Sequence, residues 1–347
     1  MIVVGAGLAG LTSAAYLSKN GYNVLLCEKR EKTCGLVGSS NLNGFVFDFG
    51  IRAFENSGII IPMLKELGIS IDLEKSPVSV GIEEDMVHYK NRESLYEYRD
   101  LLIRKFPNEK NEISLISKEI EKVIGYMDVL YGIDNPLFVD YQNDKKYIFK
   151  TLLPWLFKYQ KNIKKAVKLN TPVNDYLSKF TKNKSLIDMV TQHFFKGTPT
   201  FFALSYFGLY LDYIYPKGGT GVLVEKMEDF FIKHKGALIT NSEVKKINIS
   251  HKEVITNENK NYSYNQLIWA ADMKTLYDSL SLSDLKYKSI KSSIESQKNL
   301  ISKNSGSNTV FSVYLKVDLD KSYFKKIIES HAFYTPFRKG ISHLNYF

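Results

Sequence analysis

The chain has 347 residues, is 44% hydrophobic and carries a formal charge of +10, so it holds enough apolar material for a full core and reads as two domains. Its two cysteines, Cys27 and Cys34, exclude a disulfide framework and are expected as inert reduced thiols. The six histidines are scattered at no metal-ligand spacing, so no metal is expected.

Ile2-Val3-Val4 predicts a short buried strand, which runs into Gly5-Ala6-Gly7-Leu8-Ala9-Gly10 and a helical stretch to about Asn20. In such a pattern the first glycine permits a tight turn. The second lets the backbone approach a pyrophosphate, and the third lets the helix pack closely on its strand. The helix N-terminus then presents unpaired N–H groups to the phosphates. Ala14, Ala15 and Leu17 give the helix a small inner face, Gly21 ends it, and residues 23–27 read as a second strand tipped by Glu28. Glu28 lies 18 residues beyond Gly10, close to the ~20 at which a carboxylate meets a ribose hydroxyl. Strand, turn, helix, strand and acid in register predict a Rossmann-like unit for NAD or FAD.

Next come Lys29-Arg30-Glu31-Lys32-Thr33-Cys34-Gly35-Leu36-Val37-Gly38 and Asn43-Gly44-Phe45-Val46-Phe47-Asp48-Phe49-Gly50. An acid, a lysine, a loop that pairs glycines and a Phe-Asp-x-Gly strand resemble the phytoene desaturase and retinol saturase branch of the FAD-dependent amine-oxidase superfamily. The resemblance implies an α/β fold: a Rossmann-like FAD-binding domain, discontinuous in sequence, with an inserted α+β substrate domain. It implies FAD as cofactor, held by Gly5, Gly7, Leu8, Ala9, Gly10, Glu28 and Lys29. Gly35 and Leu36 would follow the ribityl-pyrophosphate, and Gly50 to Arg52 would line the flavin ring. Cys34 stands where the family usually has the first of two glycines, so a side chain enters the path of that loop.

Residues 84–213 read as mainly helical, substrate- or membrane-facing, and rich in aromatics. Residues 111–129 show helical spacing, and Leu152, Leu156, Tyr159, Ile163 and Val167 draw one apolar stripe. Lys158, Lys161, Lys165 and Lys168 draw a basic one, with Pro154 near the first turn, where its missing N–H costs little. From Lys145 to Ile187 there are eleven lysines, no arginine and one acid, Asp175, which accounts for the net charge of the whole chain. Trp155, Phe157 and Tyr159 among these lysines suit a helix lying on an anionic membrane over residues 145–184. A solvated amphipathic helix has the same pattern; nucleic acid is disfavoured by the missing arginine. Phe194, Phe195, Phe201, Phe202, Tyr206, Phe207, Tyr210 and Tyr213 line an apolar tunnel or form core. The uncharged stretch of residues 197–211 contains Pro199 and falls short of the ~20 apolar residues of a spanning helix. A cytoplasmic protein, peripheral on a membrane at most, is expected.

The stretch Tyr215-Pro216-Lys217-Gly218-Gly219-Thr220-Gly221-Val222-Leu223 is similar to a second family segment. A helix to about His234, Gly236 and a strand over 237–240 follow. Glu243-Val244-Lys245-Lys246-Ile247 then matches the family's strand, whose valine backbone meets the adenine, which implicates Val244. Residues 265–272 read as a strand returning to the nucleotide domain, and 309–317 alternate like a strand of the substrate domain. The expected division is residues 1–83 and 214–276 for the FAD-binding domain, with 84–213 and 277–347 outside it. Relatives continue to a glycine-rich segment that closes over the flavin, so the chain reads as a fragment.

The resemblance implies an FAD-dependent oxidoreductase acting on carbon–carbon double bonds of an apolar, polyene- or isoprenoid-like molecule, as desaturase or saturase. Beside it stand an amine-oxidase-like flavoenzyme acting on C–N bonds and a non-catalytic lipid-binding escort of the GDP-dissociation-inhibitor type. Gly5, Gly7, Gly10 and Glu28 together argue against the escort. Arg52, Tyr206, Tyr213 and Lys217 face the flavin by family position, but no catalytic residue is assigned. Hydride exchange at a flavin asks the protein mainly to position substrate and exclude water.

Overall fold

In the computed structural model, Ile2–Val4 is paired in parallel on both edges, with Leu25–Cys27 and with Leu267–Trp269. Ala237–Ile239 extends the sheet beyond Leu25–Cys27, also in parallel. A central parallel strand is covered on both faces, which is why Ile2-Val3-Val4 is an unbroken apolar run and all three residues are buried. The structure describes residues 1–139, 143–195, 197–283, 285–304 and 310–343. The chain forms two units: Met1–Arg52, Ile69–Asp72 and Pro216–Tyr314 make the first, and Ala53–Gly68, Leu73–Tyr215 and Leu315–Phe347 the second.

In the first unit, the helix Leu8–Lys19 packs its buried Leu11, Ala14 and Ala15 beside the helix Gly221–Lys233, which buries Leu223, Val224, Met227 and Phe231. The small alanines let two helices share one side of a narrow sheet. A second sheet, of Val244–Asn248, Glu253–Thr256 and Asn261–Ser263 in antiparallel order, adds Leu280–Ser281 in parallel. Its Val244, Ile247 and Val254 close a core with Ile2, Val4 and Cys27.

The hairpin Ser39–Leu42/Phe45–Asp48 belongs to the same unit. Buried Asp48 accepts from Ser39 Oγ at 2.6 Å, from the Thr220 N–H at 2.9 Å and from Thr220 Oγ1 at 3.0 Å. The two family motifs therefore meet through one carboxylate. Gly219, at φ +103°, has its absent Cβ 2.5 Å from Ser39 Oγ, so the glycine serves both the turn and the hairpin packed on it.

In the second unit, His331–Thr335 runs parallel to Val78–Ile82, which pairs antiparallel with Asp85–Tyr89. Splitting the chain near residue 83 would cut this hairpin, and the first boundary instead falls after Arg52. Helices Ser94–Lys105, Lys110–Leu130, Val173–Leu177, Lys184–Val190 and Thr200–Leu209 pack with this sheet around one core. The buried Lys105 ammonium is held by Glu83, Glu84 and Asp85 at 3.2, 2.5 and 2.8 Å.

Two expected patterns differ. The helix Leu153–Val167 forms with Pro154 in its first turn, but it buries Ala166 and half-buries Trp155, Tyr159 and Ile163, leaving Leu156 and Val167 exposed. The Trp155 indole N–H donates to the Val129 carbonyl at 2.6 Å and its ring lies 4.8 Å from Tyr159, which turns the helix by that amount. Residues 310–317 form no strand: an alternating pattern needs a neighbouring strand, and no strand among the described residues is laddered to them. Thr309 lies outside the described residues. No helix among them is long and apolar enough to cross a membrane.

Asp48→Ala should lower stability by about 3 kcal/mol, because it strands donors that a buried carboxylate satisfies, and Ser39→Ala by about 1 kcal/mol. Urea unfolding with unchanged slope is the measurement; equal stability of Asp48→Ala and wild type would remove the clamp from this account.

Candidate functional site

The turn after the first strand is set by crowding. At Gly5, φ is +97° and a Cβ would stand 2.6 Å from the Ala270 carbonyl oxygen; at Gly10 it would stand 1.8 Å from the Gly5 oxygen. Both glycines are demanded by the protein's own backbone. Gly7 differs: its φ is −76°, and an added Cβ would meet only Gly35 Cα, at an ordinary 3.6 Å. The protein's own packing therefore tolerates a small side chain there. Gly7 is also the N-cap of the 12-residue helix, with no side-chain cap and no acid in the first turn. The first-turn amides of Leu8, Ala9 and Gly10 have no intrahelical acceptors, so this end of the helix is built for an anion.

Glu28 ends the second strand and is 8% exposed. Its Oε2 accepts from the Ala6 N–H at 2.7 Å and its Oε1 from the Arg30 N–H at 3.0 Å. Each oxygen has a second lone pair available to a hydroxyl donor. A cavity open to solvent is lined here by Gly5, Glu28, Lys29, Val244, Trp269 and Asp272, among others. It sits at the carboxyl ends of parallel strands, where open α/β sheets take ligands. A register shift between Val244 and Lys246 interrupts the ladder beside it, as a bulge does when it re-aims backbone. Cys27 also lines the cavity, and burial pushes its thiol up to about 12, so it stays protonated at neutral pH.

The loop after Glu28 returns to the glycine turn. Gly35, at φ +60°, lies so close to Gly7 that a Cβ would stand 3.0 Å from the Gly7 Cα. Cys34 is accommodated because its side chain turns toward Gly38, where a Cβ would stand 2.6 Å from that of Cys34. Leu36 is exposed, its carbonyl is 2.4 Å from where a Gly50 Cβ would be, and the Phe49 N–H donates to the Gly38 carbonyl at 2.8 Å. The structure thus brings Gly7, Gly35, Leu36 and Gly50 into one run, and Gly5, Glu28, Lys29 and Val244 around one cavity. Arg52 donates to Ser312 Oγ at 3.1 Å and lies over the Tyr314 ring.

Sequence reasoning missed Trp269 and Asp272. The Asp272 carboxylate accepts from the Thr275 N–H and hydroxyl, both at 2.8 Å, which lowers its pKa and caps the helix Met273–Ser279. The usable signal was positional: Trp269 ends the strand beside Ile2–Val4, as Glu28 ends the one on its other side. The aromatic run before Pro216 is mostly core, since Phe194, Phe207, Tyr210 and Tyr213 are buried, while Phe195 and Phe202 are exposed. Among the described residues no cluster of His, Cys, Asp and Glu is arranged to hold a metal ion.

The fold and this cavity define a dinucleotide-binding Rossmann unit, and a family model described as the NAD(P)-binding Rossmann-like domain matches residues 3–67. All-trans-retinol 13,14-reductase of Danio rerio is 24% identical over 266 residues, which is 71% of this chain and 42% of the reductase. Phytoene desaturase of Cercospora nicotianae is 30% identical over 111 residues, 32% of this chain and 18% of the desaturase. The chain spans less than half the length of either relative that it matches. An oxidoreductase from Methanosarcina mazei shares the fold with a TM-score of 0.56 at 16% identity, over 86% of this chain and 64% of that one. The chain thus carries a Rossmann-like nucleotide-binding domain and is similar, over part of their length, to a reductase and a desaturase.

Two glycine substitutions separate what the fold needs from what the site leaves open. Gly10→Ala should destabilise the protein by about 3 kcal/mol through overpacking. Gly7→Ala should cost about 1 kcal/mol or less in the ligand-free protein, as a change of cap residue. Calorimetric melting of both variants measures this, and equal losses would contradict the distinction.

Proposed function

We propose that the protein is an FAD-dependent oxidoreductase that exchanges hydride with carbon–carbon double bonds of an apolar, polyene- or isoprenoid-like substrate. One observation carries the cofactor reading: a buried carboxylate with spare acceptor capacity, Glu28, lines a cavity beside the N-terminus of a helix that has no side-chain cap. FAD fits that donor set. Its ribose hydroxyls would bind Glu28, its pyrophosphate the amides of Leu8, Ala9 and Gly10, and its adenine the Val244 backbone, with Lys29 at the mouth. Gly35, Leu36 and Gly50 would carry the flavin end. When bound, FAD supplies the hydride chemistry; these residues hold its orientation and shield it from water.

The substrate reading takes its support from the relatives, one a reductase of retinol and the other a desaturase of phytoene. Chemistry in either direction at a double bond needs no acid–base pair fixed in sequence, in keeping with the absence of one here. A specific observation favours the amine reading as a second one. Within the second unit, Glu55 is hydrogen-bonded to Tyr206, whose hydroxyl meets that of Tyr213. Burial pushes the Glu55 carboxyl above the usual range against that hydrogen bond, with Asp212 adding to the rise. An acid among phenol rings is what an alkylammonium would seek.

The protein, expressed from its whole gene, should bind FAD without a covalent bond and turn yellow. Glu28→Ala should weaken binding by about 1–3 kcal/mol, the cost of leaving hydroxyls unpaired in a buried site. A folded protein that stays colourless with FAD would point to the escort instead. Anaerobic mixing of the oxidised enzyme with a carotenoid precursor in lipid, and separately with amines, decides the substrate. Bleaching by the precursor indicates desaturation, and re-oxidation of reduced flavin by a polyene indicates saturation. Bleaching by amines alone would replace the polyene reading with the Glu55 one.

A further inference from the structure

The lysine-rich window is not used by the nucleotide site, and its structure has a second feature. Ile148–Leu152 forms a π-helical turn that leads directly into the helix Leu153–Val167. One side of this helix is committed: Trp155 bonds to Val129, Lys165 lies over the Tyr126 ring at 4.7 Å, and Ala166 is buried. The opposite side carries Phe149, 67% exposed, Leu153, 37% exposed, and Phe157, 76% exposed, at intervals of one helical turn. Continuing along the same side, Lys161, Lys164 and Lys168 are exposed, with Lys150 and Lys158 beside the apolar row.

We infer that this outward face docks on an anionic lipid bilayer, with Phe149, Leu153 and Phe157 entering the acyl region and the lysines holding headgroup phosphates. An ordinary solvated face does not present two phenylalanines so fully to water; an apolar row with flanking lysines is the composition of an interfacial helix. Phe149, Leu153 and Phe157 recur at four-residue steps, so they share one side of the helix and can enter the interface together while the helix lies in its plane. Charge chooses among occupants: between Lys145 and Ile187 eleven lysines stand with one acid, Asp175, so an extended anionic plane complements them. Nucleic acid is disfavoured because the window has no arginine for bidentate phosphate contacts.

The face lies within the second unit and does not involve the nucleotide cavity, so its test is independent of flavin binding. Co-sedimentation with phosphatidylcholine vesicles, with and without about a third phosphatidylglycerol, should show binding that needs the anionic lipid and fades with salt. In Phe149→Ser/Phe157→Ser, whose sites are exposed, affinity for the anionic vesicles should fall at least about tenfold with an unchanged melting temperature. In the variant with Lys158, Lys161, Lys164 and Lys168 changed to glutamine, binding should be largely lost. Phe157→Trp should be quenched by brominated acyl chains, which separates insertion from adsorption on the surface. Unaltered binding by the double serine variant would overturn the inference. So would self-association without lipid that the same variant abolishes, or a preference for an oligonucleotide over anionic vesicles.

Discussion

The first unit is assembled from pieces far apart in the chain, and a single carboxylate ties two of them. Asp48 joins the hairpin of residues 39–48 to the start of the helix Gly221–Lys233, across 172 residues. From that hairpin the backbone runs on to Phe49, which is bonded back to Gly38. The loop so anchored carries Gly35 onto Gly7. The packing of Gly35 on the glycine turn is therefore held by a series of contacts that begins at Asp48. A buried charge satisfied by several donors is a strong and directional fastener, and its loss would be felt at the turn as well as at the hairpin.

The parts of the site that were legible in the sequence are those where backbone geometry forbids other residues. Gly5 and Gly10 have no room for a Cβ, and Glu28 sits at a strand tip at a fixed distance from them. Trp269 and Asp272 gave no such signal, because a cavity wall needs volume and a helix cap needs an oxygen, and many residues provide either. The pairing of Glu55 with Tyr206 and Tyr213 was illegible for a different reason. These residues are joined only by the packing of segments some 150 positions apart, and nothing local marks them.

Periodicity found the helix over 153–167 but misplaced its face. Apolar spacing counts Leu156 and Trp155 alike, whereas only the indole has an N–H that must find an acceptor when it leaves water, and Val129 supplies one. Residues 310–317 show the complementary failure. Alternation describes a strand's two faces and says nothing of whether a neighbour exists to receive its hydrogen bonds.

The order of the parallel sheet has a consequence for biosynthesis. Ile2–Val4 is the central strand, yet its partner on one edge, Leu267–Trp269, leaves the ribosome some 240 residues after its partner on the other, Leu25–Cys27. At ~5–20 residues per second this interval is roughly 10–50 s. Throughout it the nascent chain presents an apolar strand with one unpaired edge, the kind of surface that recruits other strands. The exposure of that edge lasts until residue 269 emerges, so slow translation lengthens the time in which it must be shielded, even though the finished sheet is sound.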